Sequence, residues 1–395
     1  MYHPYRALYS VSMSLNTLKI EFEARFSGQP RYFKSPGRIN LIGDHTDYND
    51  GFVMPAAINR YAQMALSFNE MESLIVRSID LGETHNMNLN QLEAKKQSSW
   101  DNYFIGVLAI FGEKGVPLKG IDCVFTSDIP VGAGLSSSAA IACCFAFALN
   151  EMFAAGFTKN ELVDIAQQTE HRFAQVMCGN MDQTASLFGK AGQVFKFDCR
   201  SREKTFHSLN LNDFTLLLVD TKVKHALAET AYNQRREACE SAVKLIQSKY
   251  PSVESLRDAQ LEMIAEVGLS GKLKARAEFV IEENERVNQA EICLDQNDLT
   301  GLGQLMWASH KGLSEKYDVS CPELDYIIER SYGLSYIKGA RMMGGGFGGC
   351  CIVLIQSNTV NDFKRLIEAP FSKEFNSAPE FYQFELVDGT EEVIN

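Results

Sequence analysis

Apolar positions recur along the chain in two rhythms. Short runs at Ala62–Phe68, Ile121–Phe125, Gln193–Phe197 and Phe214–Val219 are apolar or alternating and rich in β-branched or aromatic residues, so they read as strands. Between them the spacing turns helical. Ser138–Ala155 is an apolar helix ended by Gly156. Thr158-Lys159-Asn160-Glu161 is a capping box that opens a second helix with Leu162, Ile165, Ala166 and Thr169 on one face. Residues 226–302 are mostly helical in pattern, and strand-like runs return at Cys351–Ile355 and Phe381–Val387. Strands in both halves, with helices grouped between them, predict two α+β domains. The apolar pattern breaks at Cys-Arg-Ser-Arg-Glu-Lys, residues 199–204, which places the division at 1–203 and 204–395. A cleft between the two is the default place for a site.

A chain of 395 residues exceeds one ordinary core, in keeping with that division. Its net charge of −12 argues against a nucleic-acid partner, because phosphate backbones are held by clustered Lys and Arg. Its ten cysteines show no C-x-x-C spacing, and the adjacent pairs Cys143/Cys144 and Cys350/Cys351 lie in apolar runs, which reads as buried thiols in a reducing compartment. Met1–Leu18 lacks the apolar centre of a secretory signal, so a cytoplasmic address is expected. The apolar run Ala139–Leu149 has a length that suits a buried helix rather than a membrane span.

Four segments carry candidate chemistry. Asp128-Ile-Pro-Val-Gly132-Ala133-Gly134-Leu135-Ser136-Ser137-Ser138 follows a predicted strand and opens a predicted helix. Glycines let backbone approach an anion, and the serines offer hydroxyls and N–H groups at the positive end of the helix dipole. No Lys follows the last Gly, so this is not a P-loop, and a plain N-capped helix is the alternative from this stretch alone. Gly344-Gly345-Gly346-Phe347-Gly348-Gly349 satisfies G-x-G-x-x-G, yet a strand-like run follows where a dinucleotide fold needs a helix. A ligand-facing loop is the better reading, because ordering five glycines in six residues costs backbone entropy.

Gly37-Arg38-Ile-Asn40-Leu-Ile-Gly43-Asp44-His45-Thr46-Asp47-Tyr48-Asn49-Asp50-Gly51 packs donors and acceptors into one irregular stretch that suits a polyhydroxylated ligand, or else a polar surface loop with Asx turns. His45 has no second His or Cys at ligand spacing, which argues against a metal there. The last segment pairs Glu170 with Cys178-Gly179-Asn180-Met181-Asp182-Gln183. Taken singly, Glu170 reads as a solvated helix residue and Asp182 as a turn residue or cap.

In their order along the chain the four segments resemble the GHMP small-molecule kinases, and among them the galactokinases, over nearly the whole chain. The resemblance implies a fold of two α+β domains, each a mixed or antiparallel sheet with helices, and an active site in the cleft between them. It implies ATP-dependent phosphorylation of the anomeric 1-hydroxyl of galactose, with ATP and Mg²⁺ as cofactors. Gly132, Ala133, Gly134, Leu135, Ser136, Ser137 and Ser138 would wrap the ATP phosphates, and Ser138 with Glu170 would hold Mg²⁺. Asp182 would be the catalytic carboxylate beside the sugar O1, and Arg38 would neutralise charge at the transferred group. Asp44, His45, Asp47, Gly179 and Tyr232 would line the sugar pocket, and Trp100 and Tyr103 would sandwich adenine.

The partners implied are the sugar and ATP, with no nucleic acid, no membrane and a monomer expected. The chain departs from the family at Asp44, where Glu is the rule, at Asn180 in place of Ile, at Met343 in place of Thr, and at Gln175 and Met177. These departures bear on the sugar more than on the kinase chemistry, and two alternatives stay in view. One is a kinase of the same family for N-acetylgalactosamine or an arabinose-like pentose; the other is a sugar sensor, which would be expected to have damaged catalytic residues.

Overall fold

The structure, a computed structural model, describes residues 15–94, 99–224 and 228–394. Residues 1–14 of the N-terminal stretch, and 226 and 227 at the start of the expected helical region, lie outside the described residues. Numbered in chain order, the strands sort into three sheets. The largest runs β13 (Glu391–Val393), β1 (Arg31–Asn40), β3 (Pro55–Phe68), β6 (Ile121–Ser127), β4 (Ser73–Ser78), β5 (Glu83–Asn88). Its pairs are antiparallel except β4 with β6, which makes it a mixed sheet. In β4 the alternation is plain, with Leu74 and Val76 buried between half-buried neighbours. An antiparallel four-stranded sheet runs β10 (Ile337–Met342), β11 (Gly348–Gln356), β9 (Phe214–Lys224), β12 (Glu380–Gln383). β11 is internal and buried almost throughout, which is why it reads as one continuous apolar run.

The third sheet joins β2 (Phe52–Val53), β7 (Gln193–Asp198) and β8 (Lys204–Ser208), and the expected division at 203/204 falls where the β7–β8 turn meets β8. The run 381–387 is strand only to Gln383; beyond it Leu386 bridges to Ile58 and the Val387 N–H donates to the Ala57 carbonyl.

A helix α1 runs through residues 15–23. The large sheet is covered by α2 (Asp101–Glu113), α3 (Ser137–Phe153), α4 (Lys159–Thr169) and α5 (Met181–Phe188). α3 stops two residues before the expected end because Ala154 already takes the left-handed conformation, φ 49°. The capping box of α4 forms as read, with the Glu161 N–H donating to Thr158 Oγ and the Thr158 N–H donating to Glu161. The expected helical region becomes α6 (Ala228–Gln247), α7 (Leu261–Glu266), α8 (Gly271–Asp295) and α9 (Leu299–Lys311), followed by α10 (Pro322–Ser331) and later α11 (Val360–Phe375).

One buried cluster draws on both sheets: Ile39 and Met54 from the N-terminal side pack with Leu216, Leu218 and Ile352 from β9 and β11, and with Val287 and Met306 of α8 and α9. This shared core holds the ends of β1 and β10 side by side, and the site lies where those ends give way to loops.

Candidate active site

The stretch 37–51 is not irregular throughout. Its first four residues finish β1, which fixes Arg38 in the sheet, and the chain then turns into a short 3₁₀ helix at Asp47–Asn49. Arg38 is buried and grips Asp182, in the first turn of α5, in a fork: Nε donates to Oδ1 at 2.8 Å and Nη2 to Oδ2 at 3.0 Å. Its Nη1 donates to the carbonyl of Gly134, so one guanidinium touches both the carboxylate and the phosphate-type loop.

That loop has the backbone that glycine permits, with φ 82° at Gly132 and 72° at Gly134. Ser136 also lies in the left-handed region, φ 59°, as the residue preceding α3, and its hydroxyl donates to Asp182 Oδ2. A non-glycine residue held there marks strain at a site. The second glycine cluster packs on the first. A side chain at Gly344 would meet the Gly134 carbonyl at 3.4 Å, and one at Gly349 would meet Ala133 at 3.4 Å. Phe347, at φ 58°, is pinned by its N–H donating to the Val319 carbonyl at 2.7 Å.

α4 ends in a π-helical turn at Glu170–Ala174, a distortion often found at functional sites. It buries Glu170, which accepts from Gln183 Nε2 at 2.8 Å and lies 3.4 Å from Ser138 Oγ. Burial and then the Asp182 charge push the Glu170 carboxyl up to about 7, and the same two causes push Asp47 to about 7. Burial takes the His45 imidazole down to about 4, so it is neutral at pH 7. Its Nδ1 pairs with Tyr48 Oη at 2.7 Å, and its buried Nε2 has no hydrogen-bond partner among the described residues. Asp44 is buried in the wall, accepting from Asn40 Nδ2 at 2.8 Å, the Gly344 N–H at 3.1 Å, and Arg341 Nη2.

These groups line one cleft of about 250 Å³, in which Arg38, Asp44, His45, Asp47, Ser138, Glu170, Asp182 and Tyr232 face the same space as Gly344–Phe347. Gly179 stands behind it, where a Cβ would come within 2.1 Å of Asp47 Oδ2. Gly132, Ala133, Gly134, Leu135, Ser136 and Ser137 are not on that lining. Neither are Trp100 and Tyr103. Trp100 stacks on His85 with ring centroids 4.5 Å apart and donates from Nε1 to Glu83 at 3.0 Å. Asn180 is buried just outside the lining and Met343 sits beneath the loop, its Sδ accepting from the Asn40 N–H at 3.3 Å.

Sequence reasoning missed Gln183, which holds Glu170, and Arg341, which holds Asp44. A lone Arg inside the apolar run Gly339-Ala-Arg-Met-Met343 was the available signal, since an arginine in a buried strand needs a partner.

The family patterns described as "Galactokinase galactose-binding signature", "GHMP kinases N terminal domain" and "GHMP kinases C terminal" match residues 20–68, 102–190 and 290–372. The chain is 39% identical over 360 residues to a galactokinase of Thermotoga maritima, covering 91% of this chain and 99% of that one. It is 34% identical over 387 residues to a galactokinase of Clostridium tetani, covering 97% and 98%. Among solved structures, Lactococcus lactis galactokinase complexed with galactose superposes with a TM-score of 0.92 at 30% identity, over 96% of this chain and all of that one. A likeness of this extent, carried by three domain patterns in the same order as the motifs, shows that the chain belongs to the GHMP kinase family and, within it, to the galactokinases.

Proposed function

We propose that the protein transfers the γ-phosphoryl group of ATP to the anomeric hydroxyl of galactose, giving galactose 1-phosphate and ADP. The observation that carries the reading is the Arg38–Asp182 fork, set between a phosphate-type loop and a wall of buried polar groups. Phosphoryl transfer has a loose transition state, so positioning and charge neutralisation do most of the work. Asp182 accepts a hydrogen bond from the sugar O1 hydroxyl. As the new O–P bond forms and the bond from Pγ to the ADP oxygen breaks, the hydroxyl proton follows that hydrogen bond. Arg38 meets the charge on the transferred group, and the N–H groups opening α3 meet the other phosphate oxygens. Asp44, His45, Asp47 and Tyr232 supply the acceptors and donors that a sugar's hydroxyls need, with Gly179 leaving Asp47 its room.

Glu170 and Ser138 fit Mg²⁺. They are hard oxygen donors, and a buried carboxyl raised to about 7 is in no ion pair among the described residues. Mg²⁺ takes one or two carboxylates and completes its shell with phosphates and water, which suits a site with no cluster of three metal-ligating side chains among the described residues. When bound, it supplies positive charge to the phosphate oxygens. Trp100 and Tyr103, both half-buried on or beside α2, are assigned to adenine. The ten cysteines are unpaired, which favours a reducing, cytoplasmic address, and among the described residues no helix is long and apolar enough to cross a membrane.

The test is ADP release with ATP, Mg²⁺ and a panel of free sugars, with the product's phosphate located by ³¹P NMR. Galactose phosphorylated at C1 is expected. A product carrying phosphate at C6, or no turnover of any hexose, overturns the reading.

A further inference from the structure

Arg341 is fully buried, at 0% exposure, and it sits at the end of β10, three residues before the glycine wall of the sugar pocket. Its guanidinium reaches across to the end of β1. Nη1 donates to the Asn40 carbonyl at 3.0 Å, Nη2 donates to Asp44 Oδ2, and only Nε lacks a partner. Asp44 itself is 1% exposed. A carboxylate oxygen offers two acceptor sites. Oδ2 spends both, on Arg341 and on the Gly344 N–H, while Oδ1 spends one, on Asn40. One acceptor site, on Oδ1, is left for anything in the cleft that Asp44 lines.

We infer that Arg341 is a positioning residue for substrate specificity: by filling Oδ2 and tying the Asp44 loop to the glycine wall, it turns Asp44 into an acceptor of one fixed direction for a single sugar hydroxyl. A buried ion pair does not add much net stability, because desolvation offsets most of the attraction, and its best-attested use is to fix one arrangement out of several. Here two chain segments 300 residues apart meet at the pocket, their strands held together by the shared core, and the Arg341 fork with the Gly344 N–H sets the turn of the carboxylate.

The inference rests on the sugar kinase reading, and its test separates the two. The variant is Arg341→Lys, which keeps the buried charge while losing the planar fork. It is assayed against galactose and the series of its monodeoxy derivatives. In the unmodified enzyme one deoxy sugar should lose at least ~10²-fold in kcat/KM, toward the ~10⁴-fold of a site built around a hydroxyl. In Arg341→Lys the galactose KM should rise about tenfold, that same deoxy sugar should come within about threefold of galactose, and the ATP KM should move less than about threefold. Adding Asp44→Asn to Arg341→Lys should cost little more, since both act through one contact.

Unchanged discrimination in Arg341→Lys, multiplying effects in the double variant, or sugar and ATP KM rising in step would each overturn the inference. So would failure of Arg341→Lys to fold, which would make Arg341 a support of the fold. If the unmodified enzyme does not phosphorylate galactose, the proposed function falls instead, and the same comparison is run on the deoxy series of whichever sugar it accepts.

Discussion

Without substrates, the Glu170 carboxyl should make the protein less stable as pH rises. It is buried, lies near the Asp182 carboxylate, and is raised from its ordinary 4.5 to about 7. A carboxyl whose folded value lies above its unfolded value binds its proton more tightly in the folded state. Its contribution is therefore complete below about pH 4.5, falls as pH rises from there to about 7, and is lost above that. At about 1.36 kcal/mol per pH unit the span carries at most roughly 3 kcal/mol. At about 2 cal/mol/K per residue of unfolding entropy, a chain of this length loses roughly 4 °C of Tm for that amount, provided it unfolds as one unit.

Asp47 runs in the same direction, so the unmodified protein's total fall will exceed this. Glu170→Gln isolates one share, because a glutamine keeps the size and can still accept from Gln183 Nε2. Scanning calorimetry from pH 5 to pH 8 should show the variant losing less Tm than the parent, and ending up to roughly 4 °C above it at pH 8. Addition of Mg²⁺ and ATP should reverse that order, because only the parent gains a carboxylate partner for the cation. Parallel Tm curves for parent and variant would refute both the charge conflict and the assignment of Glu170 to the cation.

Asp182→Asn keeps the shape and removes the charge, so kcat should fall by ~10³-fold or more while galactose still binds, measured by initial rates and calorimetric titration. Ser136→Ala removes a hydroxyl that donates to Asp182, and should lower kcat about tenfold with the ATP KM little changed; a rise in ATP KM alone would place that hydroxyl on the phosphates instead. Gly346→Ala puts a Cβ 2.2 Å from the Val319 carbonyl at φ 78°, and should cost roughly 2 kcal/mol or more in denaturant unfolding while raising the sugar KM.

What the sequence displayed was local. The capping box at Thr158–Glu161, the apolar run of β11 and the glycine-serine loop ahead of α3 each depend on residues within a few positions of one another, and the structure has all three. Strands β1, β5, β8 and β10 escaped because their patterns mix polar and apolar residues, and a strand on a sheet edge or at a pocket need not be apolar. Arg38 shows the limit best: it reads as the start of a loop but is held in β1 by pairing with Ala57 of β3. The Glu170–Asp182 approach depends on a π-helical turn that no spacing rule announces. Arg341 meets Asp44 only because two sheets share a core. Each of these is a long-range consequence of register, and register is set by the fold as a whole.

The same geometry explains why the cleft tolerates so poor a charge balance. Asp47, Glu170 and Asp182 surround one guanidinium, Arg38, which is already committed to Asp182 and the Gly134 carbonyl. Two of the three carboxyls are raised to about 7, so at neutral pH the empty cleft holds negative charge that burial penalises. A folded protein carries such a penalty where its function needs it. A divalent cation at Glu170 and Ser138 would offset one charge, and a sugar hydroxyl donating to Asp47 would offset another, so the two substrates relieve different members of one acidic set. Because the three carboxyls repel one another, relief of one leaves less repulsion for the next ligand to relieve. Sugar and nucleotide should therefore bind with only modest coupling through charge, and any strong cooperativity between them would have to come through the glycine wall, where the Gly344 N–H already touches Asp44 and a Cβ at Gly349 would meet the phosphate-type loop.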